Sequence, residues 1–137
     1  MNDELKNRLD ASGAEWIAYG PPEEGVEIAA SFDVYEAEYA AFRRHVAVMH
    51  WPQRALLQLT GSDVRDYLHR MLTQDIAPLN GGDSIRSFIL TDKGRILADL
   101  FVHHGDACTW LEMDRFDLPA VRKLLEDRLF AEDVSIE

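Results

Sequence analysis

One carboxylate, Asp99, interrupts the apolar run "ILADLFV" from Ile96 to Val102. In strand alternation Ile96, Ala98, Leu100 and Val102 share one face, while Leu97, Asp99, Phe101 and His103 share the other. Neither set is plainly polar, which predicts a strand buried on both sides. A carboxylate in such a place must find hydrogen-bond donors or keep its proton. Desolvation would raise its pKa and suit it to exchange a proton with a ligand amine. The alternative is structural: Asp99 pairs with an arginine such as Arg86 or Arg95, or lies at an exposed edge.

Other chemically capable groups form no comparable pattern. His103 and His104 are neighbours in a strand and point opposite ways, so they cannot chelate one metal together. His45, His50 and His69 lack a matching cysteine or carboxylate spacing, and no metal site is expected. "NGGD" is followed by no Lys-Ser/Thr and contains no G-x-G-x-x-G, which argues against a phosphate loop. Cys108 reads as a small core residue, and Trp51 and Trp110 as packing. No Ser-His-Asp grouping is recognisable from residue order.

The elements that must position Asp99 are legible. "ILTDKGRILADLFV" is a hairpin turning at Thr91–Gly94, with strands near 84–91 and 95–104. Gly105-Asp106 turns into a third strand, "ACTWLEM". Before the hairpin, "RALLQLTG" is a strand and "SDVRDYLHRMLT" a helix, with Val64, Tyr67, Leu68, Met71 and Leu72 on one stripe and Ser62 as its cap. "FDLPAVRKLLEDRLF" is a helix capped by Asp117, with Pro119 in its first turn and Val121, Leu124, Leu125 and Leu129 facing inward. "EDVSIE" reads as a last strand. Towards the N-terminus a short helix carries Leu5 and Leu9 and stops at Gly13; two strands flank "PPEEG"; and a helix capped by Asp33 aligns Tyr35, Tyr39, Phe42 and Val46. Arg43, Arg44 and His45 suit that helix's C-terminal end. Strands and helices mix irregularly around a meander, so the expected class is α+β: an antiparallel hairpin sheet packed with about four helices.

The totals set limits. The chain has 137 residues, 47% of them hydrophobic, enough for a core within one domain. A net charge of −11 argues against nucleic acid or an anionic membrane as partner. One cysteine cannot form an internal disulfide framework. No apolar run reaches the roughly 20 residues of a membrane span, and the polar, acidic N-terminus is unlike a signal peptide, so a cytoplasmic setting is expected.

Two stretches together carry a family likeness. "LLQLTGSDVRDYLHRMLTQDIAPL" followed by "SFILTDKGRILADLFV" resembles the N-terminal folate-binding region of the glycine-cleavage T-protein (aminomethyltransferase) family. "TDKGRILADL" is most similar to that family's YgfZ-like branch, tied to iron–sulfur cluster maintenance, and "GVEIAASFDVYEAEYAAFRRHVAVMHW" resembles the branch's lead-in. The resemblance implies one partial domain over 1–137, with a lead-in at 1–50 and a truncated folate-binding core at 51–137. It implies tetrahydrofolate as cofactor and one-carbon metabolism as setting. In the family the strand after the turn carries two aspartates, the second catalytic at the folate amine; that second position is Asp99, and the first is Ala98. Two tyrosine positions beside the pterin correspond to Arg86 and His103, the double glycine of the turn to Gly94-Arg95, and a Ser-His lead-in to Pro52-Gln53. These departures point to a modified pocket. The family's pterin-reading glutamate, and the YgfZ-like branch's Cys-containing motif, belong to a half beyond this chain. Aminomethyl transfer is therefore expected only of a completed fold, with a homodimer or a partner chain supplying the rest. The alternative function is a non-catalytic accessory or interaction domain in iron–sulfur protein maintenance, with or without folate.

Overall fold

A computed structural model describes residues 3–137. The chain divides into two compact units between Gln53 and Arg54. The first contains helix α1 (Asp3–Ala11), strands β1 (Glu15–Tyr19) and β2 (Val26–Ser31), and helix α2 (Tyr35–Arg44). The second contains β3 (Arg54–Thr60), α3 (Val64–Met71), β4 (Ser84–Leu90), β5 (Ile96–His104), β6 (Thr109–Asp114), α4 (Leu118–Asp127) and β7 (Ser135–Ile136). Four helices with two antiparallel sheets make this an α+β fold, as expected.

In the first unit β1 and β2 pair antiparallel around the Pro21-Pro22 turn. The indole of Trp16 donates to Asp10 of α1 (2.7 Å), and Lys6 lies over the same ring and pairs with Glu27. The cap of α2 differs from expectation. Val34 occupies the cap position, while Asp33 accepts from the Val34 N–H (2.7 Å) and Glu38 reaches back to the N–H groups of Phe32 and Asp33. No side chain caps the helix itself; Glu38 ties down the residues that lead into it. Tyr35, Tyr39 and Phe42 line α2 as the spacing implies, but all three are exposed, and Val46 lies past the helix end. Trp51 is exposed as well, not packed as expected.

The second unit holds the core. Its sheet runs in the order β4-β5-β6-β3-β7. The hairpin joining β4 and β5 closes where the sequence places it: Thr91 N–H donates to the Arg95 carbonyl (2.8 Å), Gly94 N–H to the Thr91 carbonyl (2.9 Å), and Gly94 takes a φ of 71°. Leu57, Leu59, Ile89, Ala98, Leu100, Val102, Leu111 and Met113 alternate inward along four strands and meet α3 and α4. From α3 come Val64, Tyr67, Leu68 and, just beyond its end, Leu72; from α4 come Val121 and Leu125. The Tyr67 hydroxyl donates to the Leu125 carbonyl (2.6 Å) and ties the two helices; burial pushes its pKa up to about 12.

One further cap departs from expectation. Asp63, not Ser62, occupies the α3 cap, and the Ser62 hydroxyl and N–H instead donate to Asp133 (3.0 Å each). That contact needs Gly61: at its φ of 125° a Cβ would stand 2.0 Å from the Asp133 carbonyl oxygen. Asp117 does cap α4 by position, with no side-chain hydrogen bond to the helix.

Candidate functional site

Helices α3 and α4 pack on one face of the five-stranded sheet. The opposite face carries Arg54, Leu56 and Gln58 from β3, Arg86 and Phe88 from β4, Asp99, Phe101 and His103 from β5, and Trp110 and Glu112 from β6, none of them buried, while Leu97, where the β4–β5 register shifts, packs against the core. Phe101 is 40% exposed and Leu56 55%. The expectation that β5 is buried on both sides is thus corrected. Ala98, Leu100 and Val102 are buried, whereas the Asp99 side chain keeps 44% of its surface in solvent.

Asp99 is not a desolvated acid. Arg86 lies across the sheet on β4 and grips the carboxylate with both arms, Nε at 2.9 Å from Oδ1 and Nη2 on Oδ2. The hydrogen bonds from Arg86 hold the Asp99 pKa below the usual carboxylate range, outweighing a smaller upward push from burial. The expected upward shift is overturned, and of the alternatives left open by the sequence the structure contains the pairing with Arg86. At neutral pH Asp99 is an ionised acceptor, not a proton donor. Arg86 also lies over the ring of Phe88, 5.8 Å from its centroid.

A second polar group crosses three strands beside it. His103 stands opposite Ser84 in the β4–β5 register, and its Nδ1 is 2.7 Å from the Ser84 hydroxyl. The His103 Nε2 is 2.9 Å from Oε2 of Glu112 on β6. Arg54 Nε donates to Oε1 of Glu112 (2.9 Å), and its Nη2 to the Glu112 carbonyl (3.2 Å). Burial pushes the Glu112 pKa up, but the hydrogen bonds and charges of Arg54 and His103 outweigh it and hold the group low. The Phe101 and His103 rings stack at 6.3 Å with 14° between planes.

Of the sequence-selected residues, Asp99, Arg86 and His103 therefore share one face, with Phe88 and Phe101 on it. His104 points the other way, as alternation requires: its Nε2 meets Arg65 (2.8 Å) and its Nδ1 meets Thr109 (2.9 Å). Cys108 is half-buried, not a core residue. Among the described residues no three His, Cys, Asp or Glu side chains gather as metal ligands, and no helix is long and apolar enough to cross a membrane. Ser84, Glu112 and Arg54 escaped the reading by motif. The signal for Ser84 was the hairpin register, since pairing outward from the turn places it opposite His103.

The family model described as GCVT N-terminal domain matches residues 5–134, and the chain belongs to that family. It is an aminomethyltransferase-like domain. An aminomethyltransferase from Alcanivorax borkumensis is 24% identical over 96 residues, 70% of this chain and 26% of that protein. A probable aminomethyltransferase from Halobacterium salinarum is 26% identical over 103 residues, 75% of this chain and 27% of its own length. An aminomethyltransferase from Synechococcus sp. is 32% identical over 82 residues, 60% of this chain and 23% of its length. The fold matches the crystal structure of glycine cleavage system aminomethyltransferase T from Bartonella henselae with a TM-score of 0.76, at 20% identity, over 96% of this chain and 36% of that one. The chain spans about a quarter of the length of these curated relatives.

Proposed function

We propose that the half-exposed sheet face binds tetrahydrofolate, as one part of an aminomethyltransferase-like protein acting in one-carbon metabolism. The observation that carries this reading is the position of Asp99: an ionised carboxylate directly across from Phe88 and two residues from Phe101, on the face away from α3 and α4. The donor set suits a flat heterocycle bearing amines. Phe88 and Phe101 offer ring faces for stacking, and Asp99 offers acceptor oxygens to an N–H group. Arg86 and His103 flank the carboxylate and would contact the ligand's polar edge. A second chain, a copy of this one or another protein, would supply walls that this face lacks.

Bound folate supplies the nucleophilic amine that takes up a one-carbon unit. The protein's share is orientation and charge. Asp99 would accept the amine hydrogen and stabilise positive charge developing on that nitrogen. Both its oxygens already accept from Arg86, so the ligand must compete with a bidentate guanidinium. Arg86 is itself exposed at its outer end, 60% by side-chain area, and has room to swing toward an anionic part of the ligand.

Calorimetric titration of the chain with tetrahydrofolate, beside Asp99→Asn, tests the reading. Loss of a charge-assisted hydrogen bond predicts affinity lowered by about 10- to 100-fold in the variant, corresponding to roughly 1.5–3 kcal/mol. Absence of saturable heat from the folded chain at millimolar folate would overturn it.

A further inference from the structure

Beside Asp99, on the same sheet face, stands a constellation of which the folate reading uses His103 alone, and that only as a contact. Ser84, His103 and Glu112 come from three successive strands and form one hydrogen-bonded line, Ser84 Oγ to His103 Nδ1 at 2.7 Å and His103 Nε2 to Glu112 Oε2 at 2.9 Å. Sheet pairing fixes their approach: Ser84 faces His103 directly, and Glu112 faces Phe101, one step along the same side of β5. The carboxylate is itself held by Arg54 (2.9 Å), and the imidazole by its stack on Phe101.

The donor roles follow from the ends of the line. An ionised Glu112 only accepts, so the hydrogen between it and His103 sits on Nε2. In the neutral ring Nδ1 is then a bare acceptor, and the Ser84 hydroxyl donates to it. This is a nucleophile hydrogen-bonded to a base whose other nitrogen is oriented by an acid. Hydrolytic triads commonly turn Nε2 to the serine. Here Nδ1 faces it, and either nitrogen can serve as base. Ser84 is exposed on the edge strand, open to an incoming acyl donor.

We propose that Ser84 is an activated nucleophile, with His103 as general base and Glu112 as its positioning residue, that accepts acyl groups from small activated esters. Ser84 Oγ attacks the ester carbonyl carbon while its proton passes to His103 Nδ1. The new Oγ–C bond forms, the bond from acyl carbon to the ester oxygen breaks, and the alkoxide or phenolate departs with that electron pair. The His103 proton is lost to the leaving group or to solvent. His103 then takes a proton from water, which attacks the acyl-serine, releases the carboxylate product and restores the hydroxyl.

The probe is p-nitrophenyl acetate, with the full chain. The expected result is a burst of nitrophenolate approaching one equivalent, and an acetyl group located on Ser84 by peptide mass spectrometry. Ser84→Ala removes both. His103→Gln and Glu112→Gln slow the burst by at least about tenfold, in keeping with general-base assistance worth about 10²–10⁴-fold. The Ser84 acetylation rate falls as pH drops, as general-base assistance requires. An undiminished burst in folded Ser84→Ala, acetylation confined to Cys108 or to lysines, or a Ser84 rate equal in wild type and folded His103→Gln would overturn the proposal. Folate heat that depends on Asp99 is read separately, so either reading can fail while the other stands.

Discussion

The two faces of the five-stranded sheet are made by the same strands and differ in almost everything else. On the helix-covered face Leu57, Leu59, Leu100, Val102, Leu111 and Met113 are at most 1% exposed and carry the packing. On the other face alternate residues of those strands carry two arginines, three ionisable partners and three aromatic rings, partly open to water. Period-two alternation lets one backbone hold a dry core and a chemically equipped surface less than a side chain's length apart. The core face sets where the polar groups stand. The polar face is then free to vary in what it binds.

The largest test of this division is a pair of neighbours on β5. Leu100→Ala should cost about 2–5 kcal/mol of unfolding free energy, because it opens a cavity between the sheet and its helices. Phe101→Ala, one residue on and facing out, removes a larger side chain yet should cost no more than about 1 kcal/mol. Urea unfolding of both measures the contrast, and equal losses would mean that the outer face is covered as tightly as the inner one.

A second test probes the helix layer. Tyr67→Phe keeps the ring volume and removes one of two hydrogen bonds to the Leu125 carbonyl, which still accepts from the Arg128 N–H (3.1 Å). Loss of about 0.5–1.5 kcal/mol is expected, the net worth of one hydrogen bond. In the wild type the same hydroxyl should resist ionisation until about pH 12, visible as a delayed phenolate absorbance.

Much of this arrangement could be read from the residues. The stripe on α3, the inward set on α4 and the Gly94 hairpin all follow local periodicity or turn chemistry, and those signals need only a few neighbours along the chain. What could not be read depends on partners far away. Phe101 looked as apolar as Leu100 and Val102; which of them is covered depends on α3 and α4 packing on one side of the sheet, and Leu97 joins the covered side where the β4–β5 register shifts. Ser62 reads as a cap until Asp133, 71 residues on, draws it away. The environment of Asp99 had the same difficulty. Its carboxylate looked buried and raised in pKa, and the cross-strand Arg86 reverses the sign.

That sign gives the third test. Because Asp99 is held low, its pairing contributes stability above the carboxylate's unfolded value of about 3.8 and loses it as pH falls through the lower folded value. Arg86→Met should therefore be slightly less stable than wild type at pH 7, an effect kept small by solvent screening of an exposed pair. The difference should vanish in strong acid. The Asp99 carboxyl should titrate at higher pH in the variant, followed by its carbon NMR shift. If folate competes with Arg86 for Asp99, the same substitution tightens folate binding; weaker binding would mean that Arg86 greets the ligand itself.

The smallest effect is expected where the chain passes from one face to the other. Asp114 ends β6 on the open side, and Asp117 begins α4, which packs on the closed side. Burial, and then the charge of Asp114, push the Asp117 pKa up. A raised carboxylate works against folding once ionised. It favours the folded state below its unfolded pKa near 3.8, and that contribution is lost as pH rises through the folded value. Asp117→Asn, which keeps a good capping residue and removes the charge, should raise stability at pH 7 by a few tenths of a kcal/mol, within the range of ordinary surface changes. At pH 3 the two proteins should unfold alike. If Asp117→Asn instead destabilises the fold at neutral pH, the negative charge at the start of α4 is worth more to the helix dipole than the crowding beside Asp114 costs, and the polar face reaches further into the stability of the core than the separation of the two faces allows.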